Sequence, residues 1–266
     1  MAAEKLANGM SDEDWYRFLT EGEDDHRTWR RMIRRIPSAP RCKMCYIPFG
    51  GLGGRFNRLR GNGPSRKNPG FCRGCFEAAP LGGAEVDLGI LFADVRGFTS
   101  MSEAQGPKAT AALMNRFYEM ATDALTHEDA IIDKLVGDEV MALFVPGFAG
   151  SEYLAKMVTA AENLLAGVGY GVKGEPWLKL GVGLDAGVAY VGNVGSGDVK
   201  DFTALGDPVN TAARLQTQAK PGQIVMSERV YEHASGRYPD APSVQLDLKG
   251  KAEPVAARVV EPNLSR

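Results

Sequence analysis

The chain has no run approaching the roughly 18 consecutive apolar residues that span a bilayer. Its first residues, MAAEKLANGMSDEDWYRF, also lack the apolar stretch of a secretory signal. Membrane spanning and secretion by that route are disfavoured, and a cytoplasmic protein is expected. Cysteine is scarce, 4 in 266 residues, and without a secretion signal disulfides are its least expected use. The rest is ordinary globular material, since 44% hydrophobic and 24% charged residues supply a core and a solvated surface. Such a length fits one large domain, or one domain with a small module.

Acidic side chains are missing from one long stretch. Arg27 to Arg73 holds 13 Lys+Arg and no Asp or Glu, whereas residues 1–26 carry 8 acids against 2 bases. From Ala84 to the end there are 24 acids against 16 bases, so a basic module precedes an acidic main domain. Docking of these opposite surfaces on each other, or on a second copy, is the preferred reading. Contact of segment 27–73 with nucleic acid or anionic lipid is the weaker one, because the stretch has no periodic aromatic platform. Ahead of the cysteines, Glu13 to Ile36 has the pattern of an amphipathic packing or dimerisation helix, with Trp15, Phe18, Trp29, Ile33 and Ile36 as its apolar positions. The expected layout is a helical segment over 1–40, a four-cysteine, zinc-ribbon-like module over 41–83, and the main domain over 84–262.

All four cysteines lie in the basic module, as Cys42-Lys43-Met44-Cys45 and Cys72-Arg73-Gly74-Cys75. Two-residue spacing lets two thiolates from one tight turn reach the same ion. The insert between the pairs is rich in Gly, Pro, Asn and Arg and can barely form a core, so a tetrahedral metal site would supply folding free energy. Structural Zn²⁺ is the leading expectation; a four-cysteine iron–sulfur cluster and free or redox-active thiols are the alternatives.

In the main domain strand and helix periods alternate. Strands are expected over Val86–Ala93, Ile131–Val136 and Glu139–Val145, the last two joined by a Gly137-Asp138 turn. A further pair, Leu178–Ala186 and Val188–Val194, is expected to turn at Ala186-Gly187. Helices are expected over Pro107–Leu125, Ser151–Ala166 and Asp207–Gln218, the last with Asp207 as N-cap and Pro208 at the first helical position. The order reads as an α+β, ferredoxin-like βαββαβ sheet with additions.

Chemistry gathers at two points. Phe92-Ala93-Asp94-Val95-Arg96-Gly97-Phe98-Thr99-Ser100 takes a carboxylate out of a buried strand into a turn whose backbone N–H groups can hold phosphate. Lys134-Leu135-Val136-Gly137-Asp138-Glu139 is a hairpin that such a sheet lays beside the first strand, so Asp94 and Asp138 can converge. Two carboxylates beside a phosphate loop suit Mg²⁺. Either Asp alone would pass as turn chemistry.

Three blocks, LFADVRGFTSMSE, KLVGDEVMALF and FTALGDPVNTAARL, together resemble the catalytic domain of class III nucleotidyl cyclases, from about Glu85 to Val260. The resemblance implies that Asp94 and Asp138, with the Val95 carbonyl, bind two Mg²⁺ or Mn²⁺ ions for a two-metal displacement that releases pyrophosphate. It implies phosphate binding by Gly97, Phe98 and Thr99, ribose orientation by Asn210, and charge stabilisation on the transferring phosphate by Arg214. Asn210 and Arg214 are i and i+4, hence on one helix face. Lys251 is implied as the lysine meeting the terminal phosphates, with Lys249 as the alternative. Lys134 and Thr203 match the family's base-reading positions and favour ATP, since the Thr hydroxyl can accept from the adenine amino group and the Lys can donate to a ring nitrogen.

In that family the metal aspartates come from one subunit and the Asn, Arg and base-reading residues from the other, so a head-to-tail homodimer is implied. The resulting expectation is a homodimeric adenylate cyclase, a phosphorus–oxygen lyase making 3′,5′-cyclic AMP. A cyclase for GTP, CTP or UTP is the first alternative. A non-catalytic nucleotide-binding regulatory module is the alternative of another class.

Overall fold

The computed structural model describes residues 10–22, 40–43, 45, 47–76, 79–196, 199–247 and 253–264. It divides into two compact units: Met1–Val86 with Val145–Gly150 and Tyr190–Leu205, and Asp87–Phe144 with Ser151–Ala189 and Gly206–Arg266.

The second unit holds β1 (Gly82–Val95) from Asp87 onward, β2 (Ile131–Val136), β3 (Glu139–Phe144) and β4 (Leu180–Ser196) up to Ala189. They lie in the order β2-β3-β1-β4, the arrangement expected of a ferredoxin-like βαββαβ core. Beyond β4 the sheet continues through β6 (Ile224–Ser227), β8 (Val255–Val260) and β7 (Ser243–Leu246). The fold is therefore the expected α+β class, with one mixed sheet.

Helices α5 (Pro107–His127) and α7 (Tyr153–Gly167) cover one face. Met114, Phe117, Ala121 and Leu125 recur at helical spacing on α5 and are buried with Leu91, Ala93 and Val95 of β1 and with Met157, Val158 and Leu164 of α7. On β6, Ile224 and Met226 join this core while Val225 faces the other side, where Leu215 and Ala219 pack on it. Those two residues come from α8 (Asp207–Gln218) and the residue that follows it, so α8 lies on the opposite face of the sheet. Its seat depends on a glycine: a Cβ at Gly183 of β4 would stand 2.2 Å from the Gln216 amide nitrogen.

Three local expectations are corrected. Leu178–Ala186 and Val188–Val194 are not a hairpin, because Leu180–Ser196 is one continuous strand. Gly187 provides clearance and not a turn, since a Cβ there would meet Pro208 Cγ at 2.7 Å. The cap of α8 is Gly206, with Asp207 already inside the helix. The amino-terminal helix does not run unbroken from Glu13 to Ile36: α1 spans Asp12–Thr20, and Gly22 leaves it at φ 71°. Residues 23–36 lie outside the described residues.

In the first unit, α1 opens on a capping box between Ser11 and Asp14 and buries Trp15, Phe18 and Leu19. α2 (Gly51–Leu59) and α3 (Arg73–Phe76) belong to the cysteine module, and α6 (Pro146–Ala149) packs beside α1. The outer half of β4 pairs with β5 (Val199–Leu205), Gly192 standing opposite Thr203. No described helix is long and apolar enough to cross a membrane.

Candidate active site

Antiparallel pairing sets Asp94 of β1 opposite Glu139 of β3, and the Val95 amide donates to the Asp138 carbonyl at 3.2 Å. The exit of β1 therefore lies alongside the β2–β3 turn, and the two aspartates feel each other. Burial first, then the charge of Asp138, raises the Asp94 carboxyl above its ordinary range; Arg96, 3.4 Å away, pulls the other way. Glu139 is raised by burial and then by Asp94 and Asp138. Half-buried carboxylates in mutual repulsion, which the nearby cations offset only in part, are hard oxygen donors, a donor set that fits Mg²⁺ or Mn²⁺.

The turn after β1 has Gly97 at φ 74°, a left-handed conformation that glycine adopts without strain. It launches α4 (Phe98–Gln105), with Phe98 leaning on the core and Thr99 exposed. Asn210 is exposed and Arg214 half-buried on α8, and neither side chain has a hydrogen-bond partner among the described residues. Lys134, on β2, has its ammonium 3.4 Å from the buried Asp133 carboxylate. Thr203 is buried on β5, in the first unit. Lys249 and Lys251 lie outside the described residues.

Two supporting residues were not anticipated. The Arg96 guanidinium reaches both Asp94 and the Gln216 carbonyl of α8, tying the carboxylate strand to the helix that carries Asn210 and Arg214. The Tyr118 hydroxyl of α5 donates to the Gly137 carbonyl at 2.6 Å, bracing the turn that presents Asp138. Arg96 lies inside the LFADVRGFTSMSE block, which is its signal in the sequence; nothing in the sequence links Tyr118 to a turn 19 residues away.

The cysteines form a second centre. Sγ atoms of Cys42, Cys45, Cys72 and Cys75 all lie within 4.8 Å of one another, and Cys45 and Cys72 are 3.7 Å apart. A tetrahedron with metal–sulfur bonds of about 2.3 Å has edges of about 3.8 Å, so the sulfurs are already near that geometry. The Cys72 amide donates to Cys42 Sγ at 3.2 Å and the Cys75 amide to Cys72 Sγ at 3.4 Å, as suits thiolates. Hydrogen bonding from Cys45, then Cys72 and Cys75, draws the Cys42 thiol well below its ordinary range. Among the described residues this is the one cluster of three or more Cys, His, Asp or Glu ligand atoms close enough to share an ion.

The sequence model of the adenylate and guanylate cyclase catalytic domain matches residues 84–257. An adenylate cyclase of Anabaena cylindrica is 30% identical over 197 residues, which cover 67% of this chain and 39% of that protein. An uncharacterized protein of Mycobacterium tuberculosis is 30% identical over 165 residues, 60% of this chain and 28% of its own length. The chain thus spans well under half the length of these relatives. Among solved structures, the guanylyl cyclase Cya2 is 27% identical with a TM-score of 0.60, covering 67% of this chain and 93% of that one. The adenylyl cyclase CyaB from P. aeruginosa is 28% identical with a TM-score of 0.56, covering 67% and 95%.

Proposed function

The chain belongs to the adenylate and guanylate cyclase catalytic-domain family, and on that premise we propose that it converts ATP to 3′,5′-cyclic AMP and pyrophosphate at sites shared between two copies. The observation that carries this reading is the register placing Asp94 opposite Glu139, with Asp138 in the adjoining turn. Asp94, Asp138 and the Val95 carbonyl would hold two Mg²⁺ or Mn²⁺ ions, which when bound neutralise the triphosphate and acidify the ribose 3′-hydroxyl. Backbone amides at Gly97, Phe98 and Thr99 would receive phosphate oxygens at the start of α4. Asn210 would hold the ribose, and Arg214 would meet the charge that builds on the transferring phosphoryl group. Lys251, or Lys249, would meet the terminal phosphates.

The partner copy is proposed because, among the described residues, the exposed Asn210 and half-buried Arg214 side chains of α8 have no hydrogen-bond partner, as suits a site completed by a second chain. For the base, Lys134 would donate to a ring nitrogen and Thr203 would accept from the adenine amino group. A second reading, GTP as substrate, is supported by the likeness to the guanylyl cyclase Cya2. Exchange of Lys134 and Thr203 for Glu and Cys should move preference from ATP toward GTP. For the four cysteines we propose structural Zn²⁺, giving a colourless protein with about one zinc per chain. Iron with acid-labile sulfide would replace that assignment by a cluster.

The reading is tested by pyrophosphate release from purified protein with Mn²⁺ and each of the four nucleoside triphosphates. Release with ATP foremost is expected. Absence of release with all four would remove the cyclase reading.

A further inference from the structure

The first unit contains a row of ring contacts that no part of the cyclase chemistry uses. Trp15 meets Phe18 at 5.8 Å between centroids, Phe18 meets Phe148 at 5.1 Å, and Phe148 meets Phe71 at 5.2 Å. Phe71 meets Phe76 at 5.7 Å, and Phe76 meets Phe202 at 5.6 Å. The middle rungs are the residues immediately before Cys72 and after Cys75. The last rung, Phe202, is the neighbour of Thr203 on β5.

Polar contacts join the same two parts. Lys67, in the insert between the cysteine pairs, forms an ion pair with Asp201. The buried Asn193 amide, whose residue stands opposite Phe202 in the β4–β5 register, donates to the Ala79 and Pro80 carbonyls at 3.1 and 3.0 Å. The Lys200 ammonium also donates to the Ala79 carbonyl. Asp201, Phe202 and the strand opposite them are therefore held by the cysteine module and the chain that leaves it.

The described part of the module is held by short turns, with little regular structure of its own. Among the described residues it has one helix of more than a turn, α2, whose Leu52, Phe56 and Leu59 are exposed, the isolated bridges Arg41↔Pro48 and Pro64↔Cys72, and turn hydrogen bonds such as Lys43 N–H to the Gly70 carbonyl and Arg73 N–H to the Gly63 carbonyl. Four thiolates closed on one ion would fix the Cys72–Cys75 turn, and with it the directions of Phe71 and Phe76.

We propose that the four-cysteine cluster is a zinc site that acts as a clamp on the β4–β5 hairpin, setting through Phe71, Phe76 and Phe202 the position of Thr203. The consequence for nucleotide recognition rests on the reading of Thr203 as a base-reading residue; the clamp itself does not. Phe76 is a positioning residue in this scheme and touches no substrate. The clamp makes base recognition dependent on metal occupancy or thiol state, in a chain where the cysteines lie far from the carboxylates in sequence.

The test uses the full chain with zinc bound, without nucleotide. Zinc is removed with excess 1,10-phenanthroline, counted, and added back, while hydrogen–deuterium exchange is followed in peptides covering 199–205 and, as a control, 139–144. Exchange over 199–205 should accelerate about tenfold on removal and return on zinc addition, with the control unchanged. Equal exchange with and without zinc, or a protein that never takes up zinc, overturns the proposal. Phe76→Ala separates the clamp from general unfolding. It should keep its zinc, loosen 199–205 by a similar factor, and raise KM for ATP more than it lowers kcat, whereas Phe76→Tyr should behave like the parent. Unchanged exchange in Phe76→Ala overturns the proposal even if stripped protein aggregates. Zinc-dependent exchange in a protein that cyclises nothing would retain the clamp and sink only the cyclase reading.

Discussion

The Tyr118 hydroxyl donates to the Gly137 carbonyl at 2.6 Å, so a residue in the middle of α5 fixes the turn that presents Asp138. The phenol itself is raised above its ordinary range by burial and then by the charge of Asp138. A helix packed on the core thus sets the height of a carboxylate at the sheet's edge. Tyr118→Phe removes that bond at a cost of about 1 kcal/mol while keeping the ring. The concentration of Mn²⁺ giving half-maximal activity should rise several-fold, with the melting temperature little changed. An unaltered Mn²⁺ dependence would show that the turn holds itself.

Asp94 sets function against stability. Its carboxyl is raised by burial and by Asp138, so near neutral pH the ionised form weakens the metal-free fold. Asp94→Asn should therefore raise the melting temperature of metal-free protein by a few degrees and abolish turnover. A fall in melting temperature would mean that the Arg96 contact outweighs burial and repulsion.

If sites are shared between copies, defects on opposite sides of one site must complement. Asp94→Ala and Arg214→Ala should each be inactive alone. Mixed and allowed to exchange subunits, they should regain about a quarter of parental activity, because half the dimers then carry one intact site of two. No recovery on mixing, with exchange verified by differently tagged chains, would place each site within a single chain.

Alkaline stability has a named source in the second unit. Tyr153 donates to Asp87 at 3.0 Å, and burial, then the Asp87 charge, pushes its phenol up to about 12. The folded-state value exceeds the unfolded value of about 10, so the contribution is complete below pH ~10 and is lost as pH rises toward the folded value. Tyr153→Phe should be less stable than the parent at pH 8 by about 1 kcal/mol and lose less on going to alkaline pH. Parallel losses in parent and variant, measured by urea unfolding, would exclude this phenol as the source.

The parts legible in the sequence were those written in local periods and spacings. Helix α8 has the expected limits, Asp207–Gln218, and α5 the expected start at Pro107, because apolar residues recur with the helical period and Pro marks the first turn. The convergence of Asp94 and Asp138, and the gathering of four thiols spaced as two pairs, were also readable. Continuous strand β4 was misjudged because Gly187 serves clearance against Pro208, and a glycine kept for a distant neighbour looks like one kept for a turn. The Arg96 contact with the Gln216 carbonyl and the ladder from Trp15 to Phe202 join residues more than a hundred positions apart, and no period announces them.

The most direct measurement offers purified protein an equimolar mixture of ATP, GTP, CTP and UTP with Mn²⁺ and identifies the products by chromatography and mass spectrometry. A dominant 3′,5′-cyclic AMP peak that disappears in Asp94→Ala is expected. A different cyclic nucleotide would contradict the roles given to Lys134 and Thr203, and no cyclic product at all would contradict the cyclase itself.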